Sequence, residues 1–532
     1  EDFYKGIWSR TVADNEPFET ISSANDDSLF APITLDEIQT AISNTNNESA
    51  AGPDRVTLSE IKELKNELIV AYNIWLGHQK IPDDLKDNKT ILLPKSNADL
   101  SQVKNWRPIT ISSMILRIYN KILAYRMSVV FKTSDKQVGF KPVNGCGINI
   151  AWLHSLLKHA RSNKNSIYAC LIDVSKAFDS VSHQSIIRAL NRKGASPSFV
   201  SLIMDQYTNI STRITYDDIK SSKIDISCGV KQGDPISSIL FNLVIDELFD
   251  IIRDDYGYEV ASVGKTNARC FADDLTLISS TRIGMNELIE KTTAFLAARG
   301  LAINPSKSIS IGMEKGYKGK KSKIISEPIF SINGAQVPML GMENTTRYLG
   351  INFTSTGAVD SENIRKGINK ALSELVKLPL KAQCKIDLLR TYIMPRFTFQ
   401  LIHTEIFPKL LRKIDVSVRK VIRQILHLPL SLSTEFFHLP MREGGLQFPL
   451  LRETVGLAKI KLHKKIMHLE DPVLRHLVDG QKSSVNEHFI RDLGVGSPCT
   501  NAELNQAKEQ FSRDKTIAYR AKVHGDGHEI FS

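Results

Sequence analysis

Three acidic residues give the first hint of chemistry. Asp273 and Asp274 stand side by side in R-C-F-A-D-D-L-T-L-I-S-S, residues 269–280, with apolar residues on both sides. Asp173 closes another apolar run, A-C-L-I-D. Adjacent carboxylates repel each other, and burying them is costly unless a cation is present. Hard divalent cations take oxygen ligands, usually one or two carboxylates together with substrate phosphates. Two such ions a few ångströms apart stabilise both the attacking and the leaving oxygens of phosphoryl transfer. An isolated Asp-Asp pair is more often a solvated turn, so its meaning depends on its surroundings.

Those surroundings point to phosphate chemistry. Between the acids lies G-V-K-Q-G-D-P-I-S-S, residues 229–238, where Gly229, Gly233 and Pro235 set a sharp turn and Gln232 offers an amide. Upstream, Lys95 and Arg107 flank a polar loop within L-P-K…W-R-P-I, and cations there suit a triphosphate.

The elements that must position these residues are legible in outline. I-Y-A-C-L-I-D-V, within residues 166–174, reads as a β-prone strand ending at an acid. Residues 269–280 read as strand, tight turn, strand, which sets Asp273 and Asp274 at a hairpin tip. Residues 223–230 read as another strand, and 285–299 as a helix closed by Gly300. Apolar spacing predicts a helix from Ser112 to Phe131 and a capped helix over S-H-Q-S-I-I-R-A-L. F-N-L-V-I-D-E-L-F-D-I-I reads as an apolar helix. Residues 315–323 read as a basic flexible loop. Beyond about 361 the chain turns helical, interrupted by prolines, and the last 50 or so residues are polar.

Taken in order, the segments resemble the successive motifs of a reverse transcriptase. They are L-P-K…W-R-P-I, Q-V-G-F, L-I-D-V-S-K-A-F-D, G-V-K-Q-G-D-P-I-S, F-A-D-D, G-L-A-I-N-P-S-K and R-Y-L-G. F-A-D-D is similar to the non-LTR form of the metal motif. A-G-P-D at 51–54 resembles an extra N-terminal motif of non-LTR and group II intron enzymes. Q-V-G-F-K-P-V-N-G-C at 137–146 and F-F-H-L-P-M-R-E-G-G-L at 436–446 resemble the site-specific, ribosomal-DNA-targeting retrotransposons that carry a restriction-like endonuclease.

The resemblance implies an α+β right-hand polymerase. Its parts would be an RNA-binding N-terminal extension over 1–90, fingers over 91–170, a palm with an antiparallel sheet over 171–360, a helical thumb over 361–470 and a post-thumb linker over 471–532. It implies that Asp173, Asp273 and Asp274 are the catalytic metal ligands, with the Val174 carbonyl beside them. Two Mg2+ ions are implied, with Mn2+ as a substitute. Lys95, Arg107, Phe178, Gln232 and Lys307 would bind the dNTP, Phe178 as the ring that excludes a ribose 2′-OH and Lys307 near the pyrophosphate. Tyr348, Leu349 and Gly350 would hold the primer end. The implied partners are the element's RNA as template, a DNA primer and target duplex, and dNTPs, with no membrane. The implied reaction is target-primed reverse transcription in the nucleus, near ribosomal DNA. One departure is Val138, which stands where the family commonly has a basic residue that touches template. The alternative is a group II intron-like or maturase-like RNA-binding protein on the same fold.

Other acids and histidines read as structural. Asp179 is expected to cap the helix beginning near Ser182, and Asp234 to serve its turn. Asp246, Glu247, His154 and His159 are expected to be packed or solvated. Two loose nuclease patterns, Pro53–Lys62 and Pro82–Lys89, are read as decoys, because Thr57-Leu58-Ser59-Glu60 looks like a helix start.

Composition agrees with a polyanion partner. The 532 residues carry a formal net charge of +11, with 42% hydrophobic and 24% charged residues, and the pI is about 9.1. No apolar run is long enough to span a bilayer. The six cysteines form no C-x-x-C pair, which argues against a zinc knuckle or disulfide framework and suggests a reducing compartment.

Overall fold

A computed structural model describes residues 1–10, 27–95, 99–217, 219–316, 322–357 and 361–480, with short pieces between 488 and 514. Part of the expected basic loop at 315–323 and most of the polar tail lie outside the described residues.

The centre is a five-stranded antiparallel sheet. Across it run Ala268–Phe271, Asp274–Ser279, Ile167–Ile172, Ile309–Glu314 and Lys323–Ile325. Ile167–Ile172 is the middle strand and is nearly all buried, as its continuous apolar run requires. Helices Arg282–Ala298 and Pro235–Asp246 pack into the same core as this sheet. The helix Gly145–Ser162 joins another apolar cluster, with Ala169, Ile278 and Ile311 of the sheet. Gly300, at φ +76°, follows the first of these helices as expected.

A second sheet stands beside the first. Asp87–Pro94 pairs antiparallel with Trp106–Ile111 and parallel with Ser211–Tyr216, which in turn pairs with Ile219–Lys220 and Ile224–Asp225. Residues 211–225, expected within the palm, therefore complete the sheet that carries Lys95 and Arg107. The strand expected over 223–230 is cut down to Ile224–Asp225. Beyond it, the Ser227 and Cys228 amides turn to the Trp8 carbonyl, at 2.7 and 3.2 Å. Gly229, at φ +85°, then lies so close to the Asp179 backbone that a Cβ would stand 2.7 Å from its carbonyl oxygen.

The helical expectations hold with shifted ends, except that the apolar helix expected over 241–252 starts at Pro235, ends at Asp246 and is followed by a separate short helix, Leu248–Ile251. Met114–Val130 starts after Ser113, whose hydroxyl accepts from the Ile115 amide. His183–Arg192 is capped by Ser182. Leu58–Glu63 opens on a reciprocal capping box between Thr57 and Glu60, which commits Glu60 to the helix start. Asp83 and Lys86 of the second decoy pair with each other at 2.9 Å, and Lys86 also holds Asp205 at 3.0 Å. After Ser361 the chain is helical and builds a separate apolar core from Ile368 to Leu493. Pro408 opens Pro408–Leu426, where a missing amide costs nothing, whereas Pro395 lies inside a run that is helical from Ala382 to His403, directly after the π-helical turn Leu389–Ile393. Among the described residues, no helix is long and apolar enough to cross a membrane.

Candidate active site

The register of the central sheet gathers the acids. Leu275 faces Ile172 across an antiparallel pair, so one step further Asp274 stands opposite Asp173. Phe271 pairs with Asp274, which leaves Ala272 and Asp273 as the hairpin turn. Ala272 sits at φ +56°, a left-handed conformation that only glycine adopts without cost. Asp173 and Asp273 are half-buried, and Asp274 meets solvent at the rim.

Electrostatics set these carboxylates apart. Burial in the cleft raises the pKa of Asp173, and Lys307 and Lys95 partly offset it. Burial also raises Asp273, with Asp173 adding to it. Asp274 is pushed up to about 6, first by the protein that surrounds its rim position and then by Asp273 and Asp173. Among the described residues, no three acid, His or Cys side chains close up into a ready-made metal cage. Mg2+ takes substrate oxygens as well as carboxylates, so the protein need not supply a closed cage. The donor set, all oxygen and all anionic, fits a hard divalent ion.

The segment G-L-A-I-N-P-S-K is tied to the end of the Asp173 strand. Ile303 pairs with Val174, the Asn304 amide donates to the Asp173 carbonyl at 2.8 Å, and the Ser308 hydroxyl accepts from the Asp173 amide at 3.1 Å. This turn carries Lys307 to the cleft. A cavity of about 590 Å³ opens there, shared by Asp173, Val174, Asp273, Lys95, Arg107, Phe178, Gln232 and Lys307. Lys95 and Arg107 reach it from the mouth of the hairpin in which Pro94 faces Trp106. The Lys95 ammonium donates to the Lys104 carbonyl at 2.8 Å. Its pKa is lowered by burial and then by Lys307 and Arg107, a crowding of positive charge that an anion would relieve.

Phe178 lies flat against Phe241, ring centroids 4.6 Å apart, so packing fixes the ring it presents to the cavity. Gln232 follows the left-handed turn at Gly229, and its carbonyl accepts from the Thr110 amide at 2.8 Å, pinning the turn to the Trp106–Ile111 strand. Tyr348 and Leu349 line a smaller cavity of about 110 Å³ together with Asp173, Asp274 and Lys307, and Gly350 follows them just outside it. Leu349 and Gly350 both have positive φ, +46° and +87°, between the paired Tyr348 and Ile351, as a tight primed hairpin turn requires.

One expectation needs correcting. Asp179 does not cap the helix after Ser182. The Ser182 hydroxyl does that, accepting from the Ser185 amide at 3.0 Å. Asp179 instead accepts from the Trp8 indole at 3.3 Å and from the Gln232 amide at 2.9 Å, and burial lifts its pKa to about 6. The reason is tertiary: the first helix, Asp2–Trp8, docks on this wall, and its Phe3 and Tyr4 line the large cavity. Sequence reasoning missed Phe3, Tyr4 and Trp8, because a short polar-aromatic segment carries no local signal of where it packs. Asp234, expected to serve its turn, also caps the helix Pro235–Asp246 that follows it. Val138 is buried, so its side chain makes no surface for template. His154 and His159 are packed, against the Gly357 carbonyl and the Tyr258 hydroxyl.

Comparison with known proteins agrees with this geometry. Residues 93–353 match the family described as reverse transcriptase (RNA-dependent DNA polymerase), and every acid of the cleft falls within them. Residues 93–353 thus form a domain of the reverse transcriptase (RNA-dependent DNA polymerase) family, within a chain whose helices and largely antiparallel sheets make it α+β; enzymes of this family generally use divalent metal ions.

Its relatives are retrotransposon proteins. It is 32% identical over 470 residues to the Retrovirus-related Pol polyprotein from type-2 retrotransposable element R2DM of Drosophila melanogaster, covering 87% of this chain and 44% of that protein. It is 31% identical over 440 residues to the corresponding polyprotein of type-1 retrotransposable element R2 of Bradysia coprophila, covering 82% and 50%. The expected resemblance to a non-LTR retrotransposon reverse transcriptase is borne out. The chain spans about half the length of these curated relatives. A telomerase of Candida tropicalis solved with a fragment of telomeric RNA aligns over 82% of this chain and 70% of that one, at 11% identity and a TM-score of 0.36, too weak a likeness to add to the assignment.

Proposed function

We propose that this chain performs target-primed reverse transcription: it extends the 3′-hydroxyl of a nicked DNA strand on the RNA of its own element. The single observation that supports the reading best is Asp173 and Asp273 sharing one cavity with the cations Lys95, Arg107 and Lys307, while Asp274 stands opposite Asp173 in the sheet. In this reading 91–170 are fingers, 171–360 palm and 361–470 thumb, residues 1–90 bind RNA, and 471–532 lead toward a further region. The site of action is the nucleus, at ribosomal DNA.

Asp173, Asp273, Asp274 and the Val174 carbonyl would hold two Mg2+ ions. When bound, such ions activate the primer hydroxyl and neutralise the departing pyrophosphate. The chain's own residues do the rest. Lys95 and Arg107 grip the triphosphate of the dNTP. The stacked Phe178 ring leaves no room for a ribose 2′-hydroxyl, which selects dNTP by clash with rNTP. Gln232, steadied by Asp179, contacts the incoming nucleotide and its template base. Lys307 holds a proton at Nζ for the leaving pyrophosphate. The Leu349-Gly350 turn sets the primer end over Asp274. Positioning and electrostatic preorganisation of this type account for most of the acceleration in phosphoryl transfer.

The test is primer extension with an annealed DNA primer on an RNA template, dNTPs and Mg2+, beside the double variant Asp273→Ala, Asp274→Ala. Extension is expected from the parent, with a loss of roughly a thousandfold or more in the variant. A folded, RNA-binding parent that extends nothing, or a variant that extends as well as the parent, would sink the reading.

A further inference from the structure

The motif Q-V-G-F lines no part of the large cavity, and Val138 is buried. Its backbone instead docks on the open edge of the central sheet. The Cys270 amide donates to the Lys136 carbonyl at 2.8 Å, and the Val138 amide donates to the Cys270 carbonyl at 3.0 Å. Gln137 thereby pairs in parallel with Cys270, just ahead of the hairpin turn.

The Gln137 side chain then reaches the turn itself. Its Oε1 accepts from the Ala272 amide at 2.9 Å, and its Nε2 donates to the Ala272 carbonyl at 3.2 Å. One carboxamide therefore satisfies both backbone groups of the left-handed residue. Oε1 also accepts from the Gly139 amide at 3.0 Å, which fixes the direction of the carboxamide. Gln137 is fully buried, so water cannot replace these bonds.

Two glycines allow the approach. A Cβ on Gly139 would stand 2.3 Å from the Ala272 nitrogen, and one on Gly145 would stand 2.4 Å from the Val138 carbonyl oxygen. From the other side Asn242, on the apolar helix Pro235–Asp246, donates to the Gly139 carbonyl at 2.7 Å. The motif is held on both flanks, and the Gln137 carboxamide is aimed at the peptide unit that precedes Asp273.

We propose that Gln137 is a positioning residue that holds the Ala272-Asp273 turn in its left-handed form, and so fixes the direction of the Asp273 and Asp274 carboxylates. Ala272 bears a steric cost at φ +56° that a free hairpin would relax, and the carboxamide clamp opposes that relaxation. The clamp touches neither nucleotide nor template. Its contribution falls on the rate of the chemical step rather than on binding. This inference rests on the reading of Asp273 and Asp274 as the metal carboxylates.

The test compares Gln137→Met, similar in length but unable to make either bond, with the parent and with Gln137→Met, Ala272→Gly. Two quantities are read: hydrogen exchange of the 268–279 hairpin without nucleic acid, and steady-state primer extension. Gln137→Met is expected to speed hairpin exchange. It should lower kcat by roughly ten- to a hundredfold, as misplacement by about an ångström does, with KM for dNTP and RNA affinity unchanged. Glycine at 272 adopts the left-handed form without side-chain cost, so the double variant should recover part of the lost kcat.

Unchanged exchange or unchanged kcat in Gln137→Met overturns the proposal. So does a loss that follows melting temperature alone and is not recovered by Ala272→Gly. If Gln137→Met does not fold, Gln137→Glu keeps the length and the acceptor, and an undiminished kcat in it counts against the clamp. Faster hairpin exchange in Gln137→Met beside a parent that extends no primer would leave the clamp standing and remove the metal reading instead.

Discussion

Asp234 and Asp246 sit at the two ends of one apolar helix, while Asp173, Asp273 and Asp274 sit at the ends of neighbouring strands. The chain satisfies the helix acids itself. Asp234 accepts two bonds from the Asn120 amide, at 3.0 and 2.9 Å, one from the Ile236 backbone at 3.1 Å, and faces Lys231 at 3.7 Å. Asp246 accepts from the Ser134 amide at 2.6 Å and pairs with Lys193 at 2.6 Å and Arg192 at 3.4 Å. The strand-end acids have no comparable set of donors among the described residues, and their pKa values are raised by burial. The difference separates two uses of a buried charge. An acid whose partners are all protein groups fixes the fold, whereas an acid left short of partners in a cleft is poised for a ligand.

The comparison breaks most visibly if both groups respond alike to mutation. Asp246→Ala should destabilise by roughly 3 kcal/mol, toward the lower end for a broken buried pair because Lys193 and Arg192 stay partly accessible. The Asp273→Ala, Asp274→Ala protein should melt no lower than the parent, since mutual repulsion is removed with the charges. Urea denaturation of the two variants in parallel measures both, and a cleft variant that loses as much stability as Asp246→Ala would erase the distinction.

A pH series sharpens it further. The folded-state pKa of Asp274, about 6, lies above the unfolded value of about 3.9. Between these values the folded state binds more protons, so its contribution to stability is full at low pH and is lost as pH rises through about 6. Asp179 and Asp415, also raised to about 6 by burial, act in the same sense. The cleft's own share is the part that Asp274→Asn removes and that saturating Mg2+ offsets above pH 6. Identical pH profiles for parent and Asp274→Asn, with or without Mg2+, would contradict the assigned cause.

The smallest effect belongs to a surface pair. Glu405 is held down to about 2 mainly by His154, whose Nε2 lies 3.4 Å away, with Lys158 also beside it, yet both Glu405 and Lys158 face solvent. Lys158→Ala should change stability by no more than about 1 kcal/mol. A loss matching that of Asp246→Ala would mean that burial is not what separates these groups.

Much of the site is legible in the amino-acid sequence. Asp173 at a strand end and Asp273-Asp274 at a hairpin turn follow from short-range pattern, and so do the Thr57–Glu60 capping box and the Ser182 helix start. Motif order then points to the polymerase, because spacing along the chain survives where three-dimensional contacts are invisible. The length of the 223–230 strand is not legible, since Ser227 and Cys228 give their amides to Trp8, in a helix far away along the chain.

Charged positions, the presence of the main strands and helices, and turns such as the one at Gly300 can be read from the chain alone. These depend on backbone and side-chain preferences within a few residues. Tertiary packing alone makes Asp179 serve Trp8 and Gln232 rather than a helix cap, sets Phe3 and Tyr4 in the wall of the large cavity, and brings Gln137 onto Ala272. The hydrogen bonds from Asp179 to Trp8, from Asp179 to Gln232 and from Gln137 to Ala272 span 171, 53 and 135 residues of chain. Their partners are set by how the sheets and the first helix pack, and no local propensity encodes that choice.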